Sequence, residues 1–139
     1  MTTLNDYLAL EPLIVARLSD ELADLNVKST WGMAKIIEKF DLPPALLVFL
    51  EADKPGAVTH DGTTHKVEQV WLCVLLVGDA ENEAGEYISK IIRAMSGWTP
   101  DRKIYTPFAR TASKFAPDYT PNGIYYFPLA FSTTFVFNA

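Results

Sequence analysis

The chain closes on GIYYFPLAFSTTFVFNA, Gly123 to Ala139, and this stretch restricts the possible folds more than any other. Tyr125, Phe127, Leu129, Phe131, Thr133, Phe135 and Phe137 fall on one side of an extended backbone. Tyr126, Pro128, Ala130, Ser132, Thr134 and Val136 fall on the other. Strands place successive side chains on opposite faces, so a period of two held this long predicts a strand with one heavily apolar face. Such a face must be covered. With 139 residues the chain is long enough to build that cover from its own core as one domain, residues 1–139, without disulfides or metals.

The candidates for the cover are two amphipathic segments. From Pro12, a residue suited to a first helical turn, Leu13, Ile14, Leu18, Leu22 and Leu25 recur at helical spacing, interrupted by Arg17 and Glu21. The residues before Pro12 form an earlier turn or lie against their neighbours. A second helix is predicted over Glu81–Ser96, with Ala84, Tyr87, Ile88, Ile91, Ile92 and Met95 as its stripe and Gly97 as its C-cap. Its early acids and late Lys90 and Arg93 complement the helix dipole. Leu13, Leu18, Leu22, Ile88 and Ile91 are the natural cover for Phe127, Phe131 and Phe135.

Between these elements lie a short strand from Val27, a short helix over Trp31–Phe40 and a strand over Ala45–Asp53. The turn-rich stretch that follows carries Asp61–Gly62, a hairpin signal. The strand from His65 to Val77 becomes apolar on both sides (VWLCVLLV), which predicts a central strand covered on each face. Periodicity is absent from Trp98 to Gly123, where four prolines predict a long loop at about 99–122, with Lys103–Thr106 as a short edge strand. The element order predicts an α+β (α/β) domain: a mainly antiparallel or mixed sheet of about four strands with two main helices packed on one face.

Candidate chemistry is sparse. His60 and His65 flank the hairpin turn, but a metal site needs three or four converging ligands, so they read as exposed turn residues. Cys73, the only cysteine, lies among bulky apolar residues that raise its pKa, and it reads as a buried structural thiol in a reducing compartment. The acidic pairs Asp20/Glu21 and Asp79/Glu81 have helix-capping explanations. No nucleotide-binding glycine loop, nucleophile elbow or zinc-protease motif occurs. No catalytic, cofactor-binding or metal residue is therefore assigned, and no cofactor is expected. The start has no signal-peptide pattern, and the apolar run at Val70 is too short for a spanning helix, so no membrane association is expected.

Charge is unevenly placed on a chain of net charge −5. Up to Leu25, Asp6, Glu11, Asp20, Glu21 and Asp24 face Arg17 alone, whereas residues 102–117 carry Arg102, Lys103, Arg110 and Lys114 and no acid. Two solvated surfaces would account for this, and so would a basic loop of one copy meeting an acidic surface of the next. The net acidity argues against nucleic-acid binding.

Three stretches together carry a resemblance. LEPLIVARLSDEL (Leu10–Leu22), SGWTP (Ser96–Pro100) and NGIYYFPLAFSTTFVF (Asn122–Phe137) resemble the tail terminator proteins of tailed bacteriophages and prophages, also called minor tail or tail-completion proteins. The resemblance implies an α/β fold, no enzymatic activity, and a hexameric ring on the last ring of the tail tube. That ring would stop tail polymerisation and present a surface to the head connector. The implied partners are further copies of the chain, the tail tube protein and a head-tail connector or neck protein. The implied locations are the cytoplasm of the bacterial host during assembly and then the virion tail or a tail-like particle. Leu13, Arg17, Leu18, Gly97, Trp98, Pro100, Tyr125 and Phe131 match the family pattern and read as fold-keeping positions. Phe108 and Phe115 would supply apolar contact between copies, and the Ala130–Ser132–Thr134–Val136 face would pack on another subunit or line a lumen; a lone monomer with that face in solvent accounts for it equally well. A neck, baseplate or other adaptor role stays open, as does a small-molecule binding protein or enzyme.

Overall fold

The computed structural model describes residues 4–33, 43–78, 80–121 and 123–139. Among them six strands form one mixed sheet, with two helices packed on it. The strands are β1 (Asn26–Ser29), β2 (Ala45–Val58), β3 (Thr64–Val77), β4 (Ala109–Thr111), β5 (Asp118–Tyr119) and β6 (Tyr125–Asn138); the helices are α1 (Leu10–Glu21) and α2 (Gly85–Met95). The order across the sheet is β1-β2-β3-β6-β4, with β5 also on β6; only the β1–β2 pair is parallel.

The long C-terminal strand forms as its alternation requires. It runs antiparallel to β3 in unbroken register from Val77↔Tyr125 to Thr64↔Asn138. Its odd-numbered face, with Leu129, Phe131 and Phe135 buried, joins Leu46, Val48, Trp71 and Leu75 in the main core. Leu10, Ile14, Leu18 and Leu22 from the α1 segment and Ile91, Ala94 and Met95 from α2 close that core. Ile88 packs at its margin, whereas Leu13 does not take part: it is 42% exposed, because α1 begins at Leu10 and turns Leu10, Ile14 and Leu18 inward instead. The opposite face carries a second cluster, Ala45, Leu47, Phe49, Leu72, Val74, Leu76 and Ala130, against which Phe115 and Tyr126 pack. β3 is thus covered on both faces, as its apolar run demands.

Other elements differ from the sequence reading. β2 does not end at Asp53 but continues through the turn-rich residues to Val58, since β3 pairs with it as far as His65. It accommodates Pro55 with register irregularities between Leu50 and Ala52 and between Pro55 and Val58, and its last six residues are exposed. The hairpin closes at Asp61–Gly62, where Gly62 takes the left-handed conformation (φ 76°). The second helix is not α-helical throughout: Ala80–Ala84 forms a π-helical turn ahead of α2.

The proline-rich stretch is not one long loop, because β4 and β5 both pair with β6 inside it. Nor is Lys103–Thr106 a strand. Asp101 organises a turn there, accepting from the backbone N–H of Lys103 through its carboxylate and from those of Ile104 and Tyr105 through its carbonyl. From residue 34 on, the helix expected over Trp31–Phe40 lies outside the described residues, as does Asp79 of the acidic pair Asp79/Glu81.

Candidate assembly surfaces

The family-pattern residues at the two ends of the helix layer meet in space. Arg17 Nε donates to the carbonyl of Ala94 at 3.1 Å, its guanidinium pairs with Glu21 at 3.1 Å, and it lies over the Trp98 ring at 5.6 Å. Trp98 in turn stacks on Phe108, with ring centroids 5.7 Å apart and planes 9° from parallel. Reciprocal backbone bonds, Gly97 N–H to Phe108 O and Phe108 N–H to Trp98 O, fasten the proline-rich stretch to the end of α2. Gly97 makes this exit possible by taking φ 79°, a value that strains any residue bearing a Cβ. Arg17 therefore ties α1 to α2, and its place in the apolar stripe follows from that role. Pro100 is half-buried just beyond, Phe131 is fully buried, and Tyr125 packs edge-on against Tyr119 at 5.2 Å.

Phe108 is 1% exposed, which rules out its expected role between copies and makes it a core residue of its own chain. Phe115 packs against Phe49 in the second cluster. Lys114 is also engaged internally: its backbone N–H donates to a Glu51 carboxylate oxygen at 2.7 Å and its ammonium approaches the Glu51 carbonyl at 3.4 Å. Arg102, Lys103 and Arg110 remain exposed. In the N-terminal acidic region Glu21 is held by Arg17, Asp24 accepts from the Tyr87 hydroxyl and Asp6 accepts from the Leu8 N–H. Of the four basic residues only Lys114 is thus spent within the chain, and the acidic surplus before Leu25 stays uncompensated by the basic stretch.

The expected chemical candidates are placed as follows. Cys73 is fully buried, and burial pushes its thiol up to about 12. His60 is exposed at the hairpin tip, while the His65 ring lies 5.7 Å from that of Phe137. Asp61 stabilises its own turn, accepting from the Thr59 hydroxyl at 2.6 Å and from the Thr63 hydroxyl and N–H; these bonds hold its carboxyl below the usual range. Among the described residues, no group of three or more His, Cys, Asp or Glu side chains is arranged to hold a metal ion, and no helix is long and apolar enough to cross a membrane.

The buried polar groups are structural. Gln69 is fully buried, accepts from the Trp71 indole at 3.1 Å and donates to the Tyr7 carbonyl at 3.2 Å, which pins the segment before α1 to the sheet. The Tyr7 ring meets Phe135 and Phe137 edge-on, and its hydroxyl donates to Asp53 at 2.9 Å. Burial and that carboxylate raise Tyr7 to about 12. Thr133, also buried, donates to the Thr106 carbonyl at 2.6 Å.

Two surface features remain. On the outer side of β6 lies a groove of about 610 Å³, lined in part by Leu4, Lys66, Lys103, Ile104, Thr106 and Val136. On the other side of the sheet Trp31 is 85% exposed, beside a recess shared with Leu8, Glu11 and Leu50. Neither was visible in the sequence, because each gathers residues far apart in the chain. Of the small-residue face, Ala130 is used by the second cluster, Ser132 and Thr134 are half-buried and Val136 is exposed.

The model of the phage tail terminator protein family matches residues 3–139. The chain belongs to the phage tail terminator family. No curated protein matches it. Membership covers the whole described fold of this tail terminator, from the segment before α1 through β6. It agrees with the junction of Arg17, Trp98 and Gly97, which brings together the motifs that carried the resemblance.

Proposed function

We propose that this tail terminator caps the end of a phage-like tail tube as a closed head-to-tail ring, with six copies as the number the resemblance implies. The ring stops tube polymerisation and offers its outer surface to a head or neck protein. It acts as a structural protein and not as an enzyme. The observation that carries this reading is the family match over residues 3–139. The architecture supports it: one small, well-packed domain has no room for a lumen of its own, so a tube-sized opening requires several copies around an axis.

The test is to add the protein to growing tubes of the cognate tube protein. Growth is expected to stop, with one ring of added mass at the capped end. Tubes that keep growing although the protein is bound at their ends would assign it instead to an adaptor role. A protein that neither binds tube ends nor assembles would overturn the ring.

A further inference from the structure

We propose that copies of this chain join edge to edge, the Trp31-bearing β1–β2 edge of one copy entering the lysine-flanked groove on the β6 edge of the next. The inference rests on the ring reading and adds the surfaces that make it. β1 stops at Ser29↔Val48, so the outer side of β2 from Leu50 onward has no strand on it among the described residues. On the opposite side β4 covers β6 only at Ala130–Ser132, and the last bonds come from Thr106: its N–H donates to the Thr134 carbonyl, and its hydroxyl accepts from the Thr134 N–H. Backbone groups alternate inward and outward along an antiparallel strand, so Val136, two residues on, also points its N–H and carbonyl outward. Beyond Glu51, whose carbonyl the Lys114 ammonium approaches at 3.4 Å, the far half of the β2-β3-β6 sheet carries no further strand on either edge among the described residues.

The two edges differ in chemistry in a complementary way. The β6 groove is walled by Leu4, Ile104 and Phe135 and carries the ammonium groups of Lys66 and Lys103, with no carboxylate in its lining. The other edge presents the indole of Trp31 beside Leu8, with Glu11 in the same recess; further along β2 lies Asp53, exposed and accepting from the Tyr7 hydroxyl. Of the cations near that edge, Lys54 is paired with Glu68 at 3.4 Å, the Lys114 ammonium lies 3.4 Å from the Glu51 carbonyl, and Lys28 is exposed on β1. Tryptophan is among the residues enriched at the energetic centres of interfaces, where it fills a well-packed pocket. Pro55 and the register irregularities prevent a long continuous ladder on β2, which also protects this edge from indiscriminate strand pairing. Because the two surfaces sit on opposite sides of one sheet, the contact is head-to-tail, the type that closes into a ring when its rotation allows.

The experiment uses the variant Leu8→Cys/Lys103→Cys with a short bis-maleimide crosslinker, on protein assembled at tube ends; buried Cys73 leaves the parent chain unreactive. A ladder from dimers up to the closed ring is expected from the double variant and no crosslink from either single one. Trp31→Ala, changing a side chain outside the core, should keep the circular dichroism of the parent and weaken assembly about 30-fold, the effect of losing one interface anchor. Rings that form without a ladder, or with Trp31→Ala at parental strength, overturn the edge contact and leave the ring reading standing. Dimers from Leu8→Cys alone overturn the head-to-tail order. A chain that stays monomeric at tube ends overturns the ring reading and this contact with it.

Discussion

Replacing Phe108 by alanine separates two accounts of the proline-rich stretch, because a residue that anchors a neighbour and one that anchors its own core fail differently. Phe108 is 1% exposed and stacked on Trp98, whose other contact is the Arg17 guanidinium. The backbone bonds between Phe108 and residues 97 and 98 do not involve the ring, so the substitution removes packing alone. Truncating a fully buried phenylalanine costs about 3–5 kcal/mol, the lost transfer energy plus the cavity left behind. At about 2.1 cal/mol/K per residue, a chain of 139 residues has an unfolding entropy near 0.29 kcal/mol/K, so the melting temperature should fall by roughly 10–17 °C. Melts followed by circular dichroism at protein concentrations below assembly remove the contribution of subunit contacts. Arg110→Glu, an exposed change on β4 nearby, should move the melt by no more than about 0.5 kcal/mol and serves as the control. A Phe108→Ala protein that melts with the parent yet no longer assembles would refute the reasoning, and Phe108 would then belong to the interface.

Thiol labelling of Cys73 should be slow in the folded protein and fast in denaturant, since burial both hides the sulfur and raises its pKa to about 12; rapid native labelling would sink this. His60 and His65 should retain no stoichiometric zinc through purification, and zinc that is lost only on replacing both would show the hairpin to be a metal site. Folded Tyr7 keeps its proton to about pH 12, where an unfolded tyrosine loses it near 10, so the native state binds the extra proton between these values. Stability is then fully present below pH 10 and declines as pH rises through 10 to 12; Tyr7→Phe should lessen that decline in alkaline urea melts, and an unchanged slope would contradict it. Lys114→Glu should destabilise the monomer by placing a second carboxylate beside Glu51, which makes Arg110→Glu alone the cleaner probe of loop electrostatics; equal melts for both variants would show that the Glu51 clasp contributes nothing.

Where the sequence repeats itself, its structure was legible. The alternation of β6, the apolar run of β3 and the stripe of α2 each extend over many residues, so burial on one or both faces leaves a periodic trace. β4 and β5 left none, because strands of three and two residues have no period to detect and are held by the partner strand already present. Arg17 shows the same limit from the other side: in sequence it interrupts a stripe, and only the end of α2 and Trp98, some 80 residues on, give its charge a use. One member of the charge split was misplaced for a related reason. Lys114 and Glu51 are far apart in the chain and adjacent in the fold, so a count along the sequence included one cation that the chain uses itself, while Arg102, Lys103 and Arg110 stay on the surface.

The same packing decides where a neighbouring copy has room to bind. The odd face of β6 is consumed by α1 and α2, and on the even face Ala130 and its β3 neighbours Leu72 and Val74 are buried in a cluster against which Phe115 packs. A partner cannot use either without displacing a core that the domain needs. Toward the end of β6 the exposed side chains become Val58 and Val136, with Thr134 half-buried, too small a set to hold a stable interface by area alone. What remains are the two edges, where unpaired backbone and apolar side chains occur together. A long alternating strand therefore fixes the fold through its faces and leaves assembly to its margins, which is why the residues proposed for contact, Trp31 and Lys103, come from short irregular segments that no periodic reading would select.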